Sequence, residues 1–180
     1  MLASDGPGAL TTRAVARAAG TSVPAVYELF GDKAGLVREL FFTGFRRLQE
    51  RLLAETATGD PRSDLVSIGH SFRAFLRAEP ALAQLMFSRP FAQFDPSPAD
   101  AKAGVAVREL VVERVAASVR AGVLAGDPVD IAHVLLATVQ GLAVQEAGGW
   151  LGTSAASIER RWHLAVDAVL DGLAQPRTVS

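Results

Sequence analysis

Apolar residues recur at three- and four-residue steps along most of this chain, and sustained strict alternation is absent. The pattern predicts helices punctuated by glycine and proline. Thr11 or Thr12 caps a short helix reaching Ala19, and Gly20 stops it. The Thr21-Ser22 hydroxyls then cap a second short helix, with Pro24 tolerated in its first turn and Phe30-Gly31 at its end. Asp32 caps a long third helix to about Glu55, whose apolar side is Leu36, Leu40, Phe41, Phe45, Leu48 and Leu52.

Gly59-Asp60-Pro61 breaks the chain before a helix over 62–78 carrying Leu65, Ile68, Phe72, Phe75 and Leu76 on one side. Glu79-Pro80 opens a short helix closed by Ser88-Arg89-Pro90, and residues 91–98 read as a loop. A long helix spans about 99–125, with Gly126-Asp127-Pro128 as its stop. Two more cover about 129–147 and 154–174, separated by Gly148-Gly149-Trp150-Leu151-Gly152. The tail, 175–180, reads as frayed. The fold class is all-α, with one domain over 1–53 and a second over 54–175.

Composition narrows the chemistry. The chain has no cysteine, so disulfides, thiolate metal sites and cysteine nucleophiles are excluded. His70, His133 and His163 lie far apart in sequence without ligand spacing, and no metal or cofactor is expected. Hydrophobic residues make up 49%, yet no unbroken apolar run suggests a membrane span and no leader precedes the first motif. A cytoplasmic location is the default expectation. Net charge is −1, but its distribution matters more: residues 1–53 carry seven Lys/Arg against five acids, the remainder eleven against fourteen. The basic excess lies on the segment with the two short helices.

Those helices have the makings of a helix-turn-helix, which needs small residues where its helices touch, a tight turn and polar groups aimed outward. Val15, Ala16 and Ala19 give the first helix a small-residue inner face, and Gly20 makes the turn. Val26, with Leu29 or Phe30, closes the inner side of the second. Residues 10–36, LTTRAVARAAGTSVPAVYELFGDKAGL, resemble the DNA-binding signature of the TetR/AcrR family of transcriptional regulators. The Leu-Thr-Thr-Arg start, the Ala16 to Gly20 spacing, the Tyr27 and Phe30 pair, and Lys33 followed by Leu36 all fall in register.

The resemblance implies roles for the matching residues. Thr12, Tyr27 and Lys33 would grip phosphates, a salt-dependent and sequence-blind contribution. Arg13 would reach a base edge, guanine being its natural partner. Ser22, Val23, Pro24 and Ala25 would present the reading face, its apolar members suited to thymine methyls. The family also places a full helix ahead of the Leu-Thr-Thr-Arg start. Here Met1 to Gly8 supply only the equivalent of its last turn and exit, so the first helix is expected to be truncated.

Outside the motif, paired acids such as Asp127/Asp130 and Asp167/Asp171 suit helix starts and solvated faces, and no nucleophile–base signature is present. No enzyme is expected. Bulky apolar residues recur between positions 45 and 150: Phe45, Phe72, Phe75, Met86, Phe87, Phe91, Phe94 and Trp150, with His70 and Gln140 as polar additions. By period alone they are core; the resemblance implies a pocket for an apolar or aromatic effector among them. Ile131, Leu135 and Leu142, then Ile158, Trp162, Ala165 and Val169, form apolar stripes suited to a four-helix contact across a two-fold axis, or to the chain's own core. The expected function is a homodimeric repressor that binds palindromic double-stranded DNA and is released by a small-molecule effector. The alternative is a ligand-binding or interaction protein with a non-functional, truncated head.

Overall fold

The computed structural model describes residues 13, 16, 17, 20–87 and 98–174. Arg13, Ala16 and Arg17 are helical. Seven further helices follow among the described residues: α1 (Val23–Phe30), α2 (Lys33–Leu53), α3 (Pro61–Ala78), α4 (Pro80–Phe87), α5 (Pro98–Arg120), α6 (Pro128–Ala147) and α7 (Ala155–Gly172). The all-α class is as expected, and the expected helix preceding Thr12 lies outside the described residues, as do 88–97 and the tail.

Local chemistry sets most helix ends. Ser22 caps α1 by accepting from the Ala25 N–H at 3.3 Å, and Asp32 caps α2 by accepting from the Gly35 N–H at 2.7 Å. Asp127 accepts from Val129 and Asp130 at the start of α6, while Ser154 and Ser157 form a reciprocal capping box on α7. One boundary departs from expectation. α5 ends at Arg120, because Gly122 takes a left-handed φ of +72° and the Val123 N–H turns back to the Ser118 carbonyl at 3.0 Å. The freed chain is used at once: Leu124 is fully buried and forms an isolated bridge with Ala174.

The chain divides into two compact units, Met1–Leu48 with Ala78–Val105, and Gln49–Arg77 with Ala106–Ser180. In the first unit, Phe41 and Phe45 are buried with ring centroids 4.8 Å apart, and Phe45 meets Phe87 edge-on at 5.7 Å. In the second, Leu65, Ile68, Phe72 and Phe75 of α3 are buried, as are Val107, Val111 and Val115 of α5, Ile131, Ala132 and Val139 of α6, and Trp162, Val166 and Leu170 of α7.

An ionic cluster is buried in that second unit. The Arg73 side chain, 7% exposed, donates to both Glu146 oxygens at 2.8 and 3.1 Å and to Glu159 at 2.7 Å. The Trp162 indole N–H donates to the same Glu146 carboxylate at 2.7 Å, and the Arg73 guanidinium lies 4.6 Å from the Trp162 ring. Burial pushes the Glu146 carboxyl up, but the hydrogen bonds and charge of Arg73, with the indole donor, hold it below the ordinary value of 4.5. The Arg73 hydrogen bond is the chief cause that lowers Glu159. Burial opposes the Arg73 charge, and its two carboxylate partners more than offset that.

Both carboxyls are thus more acidic in the folded chain than in the unfolded one. Their contribution is complete above the unfolded value of 4.5 and is lost as pH falls through the lowered folded values. Arg73→Ala should cost about 3–5 kcal/mol near neutrality, since it strands Glu146 in a mostly buried position. Urea unfolding of both proteins across the acid range measures this, and the gap should narrow below pH 4.5.

Candidate nucleic-acid interface

The first helical stretch closes on Gly20, whose φ is +63°, with the Gly20 N–H bonded to the Arg17 carbonyl at 3.3 Å and Thr21 to Ala16 at 2.9 Å. This double closure lets the chain reverse within two residues and begin α1 at Val23. α1 ends in the same manner at Gly31, φ +74°, which bonds back to Tyr27 at 2.8 Å. A small core holds the turn together: Ala16, Val26 and Leu36 are buried against one another, with Val23, Phe30 and Leu40 packed around them. The structure therefore selects Phe30 as the inner residue and leaves Leu29 outside, 73% exposed.

The outer side of this head carries Arg13, Arg17, Ser22, Pro24, Tyr27 and Glu28 as exposed residues, with Ala25 half-buried; Val23, expected on the reading face, is instead half-buried against the small core. α1 offers two hydrogen-bonding side chains, Tyr27 and Glu28. The arrangement is a short capped helix presented beyond a glycine turn, with guanidinium groups on the preceding helix. It suits insertion into a DNA groove. Thr12 and the Lys33 side chain lie outside the described residues.

Residues 65–169 match the model of the tetracyclin repressor-like C-terminal domain, and residues 1–40 match that of the bacterial regulatory proteins of the tetR family. The chain belongs to the TetR family. It is a DNA-binding transcription regulator with a helix-turn-helix, and members of this family are generally non-enzymatic. A protein of unknown function from Rhodococcus sp. RHA1 is 32% identical, with 97% of this chain and 90% of that one covered and a TM-score of 0.80. A bacterial regulatory protein of the tetR family from Rhodococcus RHA1 shares 17% identity, with 97% and 92% covered and a TM-score of 0.70. A TetR variant from Acinetobacter baumannii AYE in complex with minocycline is 19% identical, with 92% and 86% covered and a TM-score of 0.62. No curated protein matches the chain.

The expected effector residues of this TetR-family chain fall in both units. Phe45, Met86 and Phe87 belong to the first, where Met86 is buried beside Gly44 and Phe87 is half-buried on Phe45. His70, Phe72, Phe75, Gln140 and Trp150 belong to the second. There Phe72 and Phe75 are buried, His70 and Gln140 half-buried, and Trp150 stands 81% exposed on the turn after α6. An exposed ring of that kind does not line an enclosed cavity. Phe91 and Phe94 lie outside the described residues. His70 and His163, distant in sequence, bring their rings within 5.2 Å, and His163 lies 3.3 Å from the Glu159 carboxylate.

The expected pairing stripe is buried at two positions and half-buried at five. Ile131 and Trp162 are 3% and 2% exposed, and Leu135, Leu142, Ile158, Ala165 and Val169 are half-buried. The outward side of α6 carries Val134, Ala137, Gly141 and Val144, and that of α7 carries Leu164 and Ala168. Both helices are apolar on two sides, so the period alone does not say which side meets the rest of the chain. α6 is also long and apolar enough to cross a membrane by length and composition, with mean hydropathy 1.2 and 17% of that window buried. Its polar residues interrupt every apolar run without lowering the average below that level.

The head depends on one close approach. A Cβ at Gly35 would fall on the Phe30 carbonyl oxygen, far inside contact distance. Gly35→Ala must therefore push the end of α1 away from α2, and should cost about 3 kcal/mol of local stability, the upper range for overpacking. Ser22→Ala, which removes only the cap, should cost about 1 kcal/mol. Amide exchange of the α1 backbone reads both changes.

Proposed function

We propose that this TetR-family regulator is a homodimeric repressor whose two heads bind a palindromic operator and which a small-molecule effector releases. The observation that carries the DNA reading is the head itself: α1 capped by Ser22, turned out at Gly20, and carrying Tyr27 exposed in company with Arg13 and Arg17. Tyr27 and Lys33, with Thr12, bind backbone phosphates, while Arg13, Ser22, Pro24 and Ala25 meet bases. Operator recognition is performed in the cytoplasm, without catalysis and without a cofactor.

The dimer reading is supported by the apolar outer side of α6 and α7. Val144 and Leu164 are 67% and 70% exposed, and Ala137, Gly141 and Ala168 between the large residues permit close helix approach. A second copy of the same pair completes a four-helix contact about a two-fold axis, which matches the two-fold symmetry of a palindrome. Effector release is supported by family membership and by a structural neighbour that holds minocycline. The effector here is an apolar or aromatic molecule, bound in the second unit beside Phe72 and Phe75, with His70 and Gln140 as polar partners. It acts by population shift, favouring a dimer whose head spacing mismatches successive major grooves.

Gel-shift titration against the DNA upstream of the chain's own coding sequence tests the reading. Binding should weaken steeply with salt, and Lys33→Ala should reduce the logarithmic salt slope by about 1. The combined change Arg13→Ala, Tyr27→Ala, Lys33→Ala should abolish the shift; retained binding would overturn the residue roles. Val134→Glu with Leu164→Glu should give a monomer by sedimentation and lose cooperative operator binding. A chain that ignores DNA yet binds a small apolar molecule tightly would instead be a ligand-binding protein with an idle head.

A further inference from the structure

The reading face of α1 contains an acid that none of the phosphate or base roles above uses. Val23, Val26 and Phe30 pack inward, and at 100° per residue the direction opposite to them is occupied by Pro24, Ala25 and Glu28. Glu28 is exposed and is the one charged residue in α1. Among the described residues it has no hydrogen-bond or ion-pair partner. Pro24 and Ala25 offer only apolar surface, and Tyr27 lies to the flank. The one polar group aimed straight out of the helix is therefore a carboxylate.

We propose that Glu28 is a specificity-determining residue that accepts a hydrogen bond from the N4 amino group of a cytosine in the major groove. The proposal rests on α1 being the groove-inserted helix. An ionised carboxylate accepts only, so it is repelled by guanine N7 and O6 and by thymine O4. Two donors remain in the groove, cytosine N4 and adenine N6. Adenine places the N7 lone pair beside its amino group, which calls for a side chain that both donates and accepts; cytosine has no acceptor beside its amino group in the groove. Four residues, about 6 Å along the helix, separate Glu28 from Pro24 on the same side. At about 3.4 Å per base step, the cytosine falls roughly two base pairs from the position that Pro24 and Ala25 touch.

Selection from randomised duplexes, using the full chain and its Glu28→Gln and Glu28→Ala variants, tests this, with circular dichroism to verify equal helix content. The unaltered chain should enrich a cytosine at one position of each half-site by about tenfold over other bases. Glu28→Ala should lose that preference and keep the others; Glu28→Gln should move it to adenine, the natural partner of an amide. Identical preferences in all three proteins would overturn the proposal. So would a uniform gain in affinity for every sequence in both variants, which would make Glu28 only a repeller of phosphates. Failure of the unaltered chain to enrich any sequence would overturn the DNA-reading role of α1 itself, and this assignment with it.

Discussion

The second unit is organised around a guanidinium that water hardly reaches. A charge so placed is tolerable only when fully paired, and every partner of Arg73 comes from a different part of the chain: Glu146 near the end of α6, Glu159 and Trp162 on α7. Meeting those geometric demands together sets the register of three helices, α3, α6 and α7, more sharply than apolar contact alone. Glu146 is informative on this point. An acid in the last turn of a helix faces the negative end of the backbone dipole, so its own helix disfavours it. Its retention there follows from Arg73 and the Trp162 indole, which hold its carboxylate in the charged form. Among the described residues no buried side-chain nitrogen or oxygen lacks a partner.

Much of the architecture was legible because its boundaries are written in single residues. Gly20, Ser22, Gly31, Asp32, Asp127 and Ser154 each stand where a cap or a left-handed turn is needed, and each acts there. The end of α5 was not legible. The triplet Gly126-Asp127-Pro128 is the louder stop signal, and it hid the quieter Gly122, whose turn matters because Leu124 must reach Ala174. The ionic cluster was equally hidden. Arg73 is separated from its carboxylates by 73 and 86 residues, and charged residues are read as exposed by default.

The turn and the inner contacts of the described part of the head were readable, since the motif is local and each position has a distinct steric duty. The sequence left Leu29 and Phe30 as alternatives, and packing against Ala16 and Leu36 resolved them in favour of Phe30. The C-terminal helices were harder for the opposite reason. Ile131 and Val134, three residues apart on α6, are both aliphatic, yet one is buried and the other open. Periodicity finds apolar stripes, but burial distinguishes a stripe facing its own chain from one facing elsewhere.

The smallness of the core beneath α1 has a kinetic meaning. Eight residues are too few for a helix to persist on its own, so α1 lasts only while Val23, Val26 and Phe30 remain seated on Ala16, Leu36 and Leu40. Such a unit breathes, opening and closing far more often than the chain as a whole unfolds. Readiness to read DNA is then a fraction of time. Anything that changes that fraction rescales apparent affinity by the same factor while leaving every contact at the DNA unaltered.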